Sequence, residues 1–183
     1  MFAHKTSPAR LLASVLLSVL FLSSARAEPL DANCFQQCPV TRTTNRIIVR
    51  ASHTFSNNAV TKFADWVAYE VASADIGRSQ RRSWRPDPLL PPEETLEPAD
   101  YKGAHKALKT DRGHQAPLAS FTGAPGWQAT NYLSNITPQK SALNQGPWKE
   151  LEAAVRVLAK SGAGTVHVLT GPLYEREMPP LPG

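Results

Sequence analysis

His114 closes the run Asp111-Arg112-Gly113-His114, and Asn144 follows thirty residues later, ending the run Asn135-Ile136-Thr137-Pro138-Gln139-Lys140-Ser141-Ala142-Leu143-Asn144. A histidine of near-neutral pKa can activate water. A guanidinium neutralises charge on non-bridging phosphate oxygens, and a neutral amide oxygen can help hold a hydrated divalent cation. Together these groups suit the hydrolysis of a phosphodiester. The chain has five histidines, of which His4 lies in an N-terminal targeting segment and His53, His105 and His167 lack comparable neighbours. His114 is set apart by Asp111 and Arg112 beside it, by Gly113, which permits close backbone approach, and by Pro117, which ends the segment.

Asn144 is a weaker ligand than a carboxylate, but a hard cation that keeps most of its waters needs few protein oxygens. If one helix carried both residues, Glu152 would lie two turns beyond Asn144, roughly 12 Å along the axis, within reach of metal-bound water rather than the metal. Glu152 and Arg156 share a helix face, and a surface ion pair is the plainer reading of that spacing.

The elements that must position these groups are partly legible. Arg46 to Arg50 and Phe63 to Val71 are rich in β-branched and aromatic residues and read as strands, although periodicity leaves a short helix open for the second. Five prolines between Arg78 and Asp100 predict a long surface loop, equally consistent with a linker or a binding loop. Within it, Arg78, Arg81, Arg82 and Arg85 taken alone describe a solvated basic run. The chain should be extended around Asp111 to Ser120, with another strand at Asn131 to Ile136. Pro147 suits a helix start, Leu151, Ala154, Val155 and Leu158 follow at core-facing spacing, and Gly162 ends the helix. Val166 to Thr170 reads as a further strand.

The first 27 residues read as an export signal: a basic start with His4, Lys5 and Arg10, an apolar run from Leu11 to Leu22, and an A-x-A cleavage site at Ala25-Arg26-Ala27. A single-pass anchor is the competing reading, disfavoured by the short apolar run. Residues 28–183 then form one domain of 156 residues, enough for a single core. The signal carries three of the 20 basic residues and none of the 15 acidic ones, leaving a net charge of +2. Nucleic-acid affinity would therefore have to come from local placement of arginines, not from total charge. Cys34 and Cys38 favour a small disulfide in an oxidising compartment; a zinc site would need two further ligands, and none stands at suitable spacing. Asn135-Ile136-Thr137 matches an N-glycosylation acceptor, and a glycan there would obstruct the proposed site. A bacterial exporter avoids that conflict, or the match is unused. No Gly-x-Ser-x-Gly elbow supports a serine hydrolase.

The run from Lys109 to Glu152 resembles the DNA/RNA non-specific endonucleases. The likeness extends upstream through Thr61 to Tyr69 and Asp100-Tyr101, and downstream through Thr170-Gly171-Pro172-Leu173-Tyr174-Glu175-Arg176. The resemblance implies an α+β fold of the ββα-metal (His-Me finger) type with a central antiparallel sheet. It implies His114 as general base, Asn144 as the one direct protein ligand of a hydrated Mg2+ (Mn2+ being the alternative), Arg112 as the motif's active-site arginine, and Arg82 as another that contacts the phosphate or its leaving group. Glu152 would order metal-bound water, Asn135, Arg156 and Asp111 would support, and Cys34 and Cys38 would form the family's small disulfide.

It further implies a secreted or periplasmic bacterial enzyme that cuts DNA and RNA to 5′-phosphates, without stable membrane association after signal cleavage. Contacts to phosphate and metal read no base edges, so specificity should be low and salt sensitivity high. Family members continue past Gly171-Pro172-Leu173-Tyr174 with more sheet and helix, a further disulfide and the surface used for homodimerisation. This chain should therefore show an open strand edge and exposed apolar surface. An inactive fragment that at most binds nucleic acid or a partner is the alternative expectation.

Overall fold

The computed structural model describes residues 32–162, 164–174 and 177–183. The expected export segment, residues 1–27, lies outside them. Among the described residues, six strands and three α-helices alternate with short 3-10 turns, giving the α+β architecture expected. Strands β1 (Arg46–Val49), β2 (Thr54–Asn58), β3 (Phe63–Val71) and β6 (Val166–Thr170) form an antiparallel sheet in the order β1-β2-β3-β6. β4 (Thr110–His114) pairs antiparallel with β5 (Ile136–Lys140) as a separate hairpin, followed by α2 (Ser141–Gln145) and α3 (Pro147–Lys160). This strand-strand-helix succession is the ββα unit. A short helix, α1 (Ala104–Leu108), leads into it.

β3 is covered on both faces. Its Val67, Tyr69 and Val71 join Phe55 of β2, Ala116, Phe121 and Ala159 in the main core, while Trp66 and Ala68 are buried on the opposite face. Each fully buried Phe or Val contributes about 1.5–3 kcal/mol. A second cluster, Leu96, Tyr101, Ala104, Leu133 and Ile136, lies beneath the hairpin. Gln115 Nε2 donates to the Ala64 carbonyl at 2.9 Å, joining the hairpin to β3.

β2 escaped the sequence reading because Thr-Phe-Ser-Asn-Asn looks polar, yet Ser56 and Asn57 are fully buried. Tertiary partners satisfy them: the Ser56 hydroxyl meets Thr41 and Asn45, and Asn57 Nδ2 donates to the Glu94 carbonyl.

Several expectations need correction. The extended segment stops at His114, and Leu118–Ser120 is a 3-10 turn. The strand expected at Asn131 to Ile136 is two 3-10 turns, Trp127–Asn131 and Leu133–Asn135, with β5 beginning at Ile136. Both shifts have one cause: closure of the loop around Asn135, which local propensity does not report. The loop from Arg78 to Asp100 is not wholly superficial, since Asp87, Leu90, Thr95 and Leu96 are buried. Asp87 pairs with Arg50 and accepts from Ser134 Oγ at 2.5 Å, which staples the loop to the body.

The helix start at Pro147 is where the sequence placed it, but the buried face is not. Val155 and Ala159 pack on the core with Glu152 and Arg156 half-buried beside them, whereas Leu151, Val157 and Leu158 are 55%, 69% and 50% exposed. Of the expected stripe, Val155 packs inward while Leu151, Ala154 and Leu158 face outward, because the helix lies on β3 and β6 with its Val155 and Ala159 side toward the core. Leu169 on edge strand β6 is 59% exposed as well, in line with the open edge expected. Among the described residues no helix is long and apolar enough to cross a membrane.

Candidate active site

Alternation along β4 puts Arg112 and His114 on one face of the strand and Asp111 and Gly113 on the other. Trp84, carried by the proline-rich loop, links the first pair: its ring centroid lies 5.1 Å from that of His114 and 5.9 Å from the Arg112 guanidinium carbon. Arg112 also lies 5.1 Å over the Tyr101 ring and donates from Nη2 to the Pro98 carbonyl at 3.0 Å, so its charge is held by stacking and one hydrogen bond. Its Nε is buried without a partner among the described residues. Gly113 is required sterically, because a Cβ there would lie 2.3 Å from Oε1 of Gln139.

Burial pushes His114 down to about 4, the Arg82 guanidinium adds to that effect, and the Asn131 amide opposes it. The Asn131 contact falls short of a regular hydrogen bond, since both of its amide atoms and Nε2 of His114 are enclosed without partners. The ring is therefore neutral at physiological pH, and Nε2 makes no hydrogen bond among the described residues.

Glu152 moves the other way. Burial raises it to about 6, against the opposing pull of Arg156, the Trp148 indole and Arg82. Arg82 thus lies within electrostatic range of both His114 and Glu152. The surface ion pair expected between Glu152 and Arg156 is absent among the described residues; Arg156 instead turns inward, with Nη1 buried and unpaired. The single helix expected to carry Asn144 and Glu152 is also broken: α2 ends at Gln145, and Gly146, at φ −109° and ψ −111°, redirects the chain into α3.

Asn144 lies at the end of α2, and its Nδ2 donates to Asp111 Oδ2 at 3.0 Å. The same carboxylate accepts from Gln145 Nε2 at 2.8 Å, Ser141 Oγ at 2.8 Å and His105 Nδ1 at 3.1 Å. Burial alone would raise Asp111, but these four bonds outweigh it and hold the group at about 2. His105, which in sequence had no notable neighbours, is therefore part of the site's support.

Asn135 is fully buried. Its Oδ1 accepts from the Ala116 amide, and its Nδ2 donates to the carbonyls of Ala116 and Thr130, all at 2.9 Å. The side chain clamps both ends of the excursion between β4 and β5, which excludes it as a glycan acceptor in the folded chain. Cys34 and Cys38 are disulfide-bonded with a Cα–Cα distance of 5.1 Å, and Phe35 between them packs on His167 of β6.

The described residues include no cluster of three or more His, Cys, Asp or Glu side chains able to enclose a metal. A dehydrated ion held by a protein cage is therefore a poor fit. A hydrated hard cation fits: the Asn144 amide is anchored through its nitrogen, which leaves its oxygen as a ligand. The sequence reading missed Trp84, Ser141, Gln145, Trp148 and Asn131. The last four flank motif residues closely in sequence, but nothing in their types marked them.

The profile of the DNA/RNA non-specific endonucleases matches residues 32–182. A nuclease of Serratia marcescens is 50% identical over 171 residues, covering 92% of this chain and 64% of that protein. Human mitochondrial endonuclease G is 33% identical over 129 residues, covering 68% of this chain and 42% of its own length. Among solved structures, a chain of the EndoG/EndoGI complex superposes with a TM-score of 0.61 at 26% identity, covering 70% of this chain and 53% of that one. This chain spans less than two thirds of the length of the relatives it matches. The profile match and the ββα unit together identify it as a member of the DNA/RNA non-specific endonuclease family.

Proposed function

We propose that residues 28–183 carry the catalytic unit of an exported, bacterial, Mg2+-dependent endonuclease. It hydrolyses DNA and RNA without sequence preference and leaves 5′-phosphates, residues 1–27 serving as the export signal. The observation that carries this reading is a buried, neutral His114 that shares the field of Arg82 with Glu152, in the same ββα unit that ties the Asn144 amide to Asp111.

His114 accepts the proton of the attacking water, which requires the neutral ring that its buried setting favours. Arg112, immobilised between Trp84 and Tyr101, and Arg82, on the exposed loop, neutralise charge developing on the phosphate oxygens. Glu152 orients water through hydrogen bonds while Arg156 favours its carboxylate form. A hydrated Mg2+, or Mn2+ in its place, bound at the Asn144 oxygen would supply charge neutralisation at the phosphate and stabilise the departing alkoxide. Phosphate-directed contacts account for indifference to base and sugar.

The test is cleavage of plasmid DNA and of RNA by the mature chain with Mg2+ or excess chelator, beside His114→Ala. Cleavage that needs metal and His114 supports the reading, and equal cleavage by wild type and variant overturns it. A second reading, a fragment that binds nucleic acid without cutting it, is favoured by the uncovered Leu151, Val157 and Leu158 on α3. Retention of labelled DNA by a folded chain that does not cleave would select it.

A further inference from the structure

An asparagine side chain offers oxygen at one end and NH2 at the other, and only the oxygen can ligate a cation. A rotation of 180° about its last torsion exchanges the two ends at almost no intrinsic cost. The partner at the opposite end therefore decides which of them faces the metal.

At Asn144 that partner is Asp111, whose ionised carboxylate has lone pairs and no proton to give. Asn144 must present NH2 to it, as the 3.0 Å bond to Oδ2 requires, and so turns its oxygen the other way. The carboxylate is itself immobilised from both sides. Gln145 Nε2 shares Oδ2 at 2.8 Å, and Ser141 Oγ and His105 Nδ1 hold Oδ1 at 2.8 and 3.1 Å. Ser141 is fixed in turn, its hydroxyl lying 3.1 Å and its amide 2.9 Å from the Lys109 carbonyl. The network thus joins α1 through His105, β4 through Asp111, and α2 through Ser141, Asn144 and Gln145.

We propose that Asp111 is a positioning residue that sets the amide orientation of Asn144 for cation binding, with Ser141, Gln145 and His105 holding its carboxylate in place. The inference rests on the metal-dependent reading above and assigns that site its orienting group.

The experiment measures Mn2+ dissociation constants by electron paramagnetic resonance, without nucleic acid, on the wild-type chain, Asp111→Asn, the double variant Asp111→Asn/Asn144→Asp, and His105→Ala. Circular dichroism checks the fold of each. In Asp111→Asn the amide offers one oxygen where the carboxylate offered two, so the four donors cannot all be met, the hold on the Asn144 amide loosens, and affinity should fall about 10- to 100-fold. The double variant has the same charge, and its residue 144 accepts at both ends, so most of the lost affinity should return. His105→Ala removes one of four donors and should weaken binding only about twofold to fivefold, within the range of a partly satisfied outer shell.

Wild-type affinity retained in folded Asp111→Asn overturns the proposal, as does a folded double variant that binds no better than Asp111→Asn. If Asp111→Asn does not fold, His105→Ala and the double variant decide: normal binding by His105→Ala together with no binding by the double variant overturns it. Failure of the wild-type chain to bind Mn2+ overturns the metal-dependent reading itself, a separate outcome.

Discussion

The hairpin with α2 and the outer face formed by α3 and β6 are built on opposite terms. Around the hairpin, polar side chains are held by hydrogen bonds: Asp111, near the surface, accepts four and Asn135, in the interior, makes three to the backbone. On α3 and β6, apolar side chains reach outward, with Leu151, Val157, Leu158 and Leu169 at least half exposed. A region that must hold charge and water in fixed positions accepts the cost of burying polar atoms and recovers it through hydrogen bonds. A region whose apolar surface has no cover contributes little to either stability or chemistry.

That contrast can be broken at its strongest point first. His114→Ala should lower kcat/KM by about 100- to 10,000-fold, the range of general acid-base catalysis, with an unchanged far-ultraviolet spectrum. A loss below tenfold would place the proton acceptor elsewhere. Next comes Asn135→Ala, which strands the Ala116 amide and the carbonyls of Ala116 and Thr130 in the interior. Denaturant unfolding should show a loss of about 2 to 4 kcal/mol. An undiminished midpoint would mean that the clamp does not close the excursion between the strands.

Reducing Cys34–Cys38 should cost about 2 kcal/mol, the entropy of so small a loop, and leave kcat unaltered, since the loop packs through Phe35 on His167 of β6. A change in kcat would link the N-terminal loop to the site. On the proposed mechanism, the active forms in the pH profile are the Glu152 carboxylate and neutral His114. kcat/KM should therefore fall about tenfold per unit as pH drops through about 6, where Glu152 gains a proton, and more steeply below about 4, where His114 does. Glu152→Gln should remove the upper limb and keep the lower one; an unchanged limb near 6 would assign it to another group. The smallest effect tests the outer face: Leu151→Gln should shift stability by at most about 0.5 kcal/mol, whereas Ala159→Gln, on the buried side of the same helix, should be strongly destabilising. A large effect at Leu151 would mean that its face is covered in solution.

How much could be read in advance depended on the range of the interactions involved. β6 was legible to the residue and β3 likewise, because β-branched and aromatic runs report themselves locally. The helix beginning at Pro147 was legible for the same reason, but which side it buries was not. That choice depends on the core that Val155 and Ala159 meet from other parts of the chain, and spacing alone favoured the leucines. β2 was hidden because its buried Ser56 and Asn57 are made tolerable only by Thr41, Asn45 and Glu94.

The sequence by itself determined the chemistry: a histidine, arginines and an amide oxygen in motifs specific enough to name a nuclease family. The order of residues also determined the ββα succession that carries them. Only the tertiary structure decided what each motif residue does beyond its type. Asn135 is a clamp, His105 belongs to the Asp111 network, Gly146 separates Asn144 from Glu152, and burial drives His114 and Glu152 in opposite directions from their ordinary values. Side-chain chemistry is a local property, whereas desolvation and hydrogen-bond direction depend on whichever residues folding brings together.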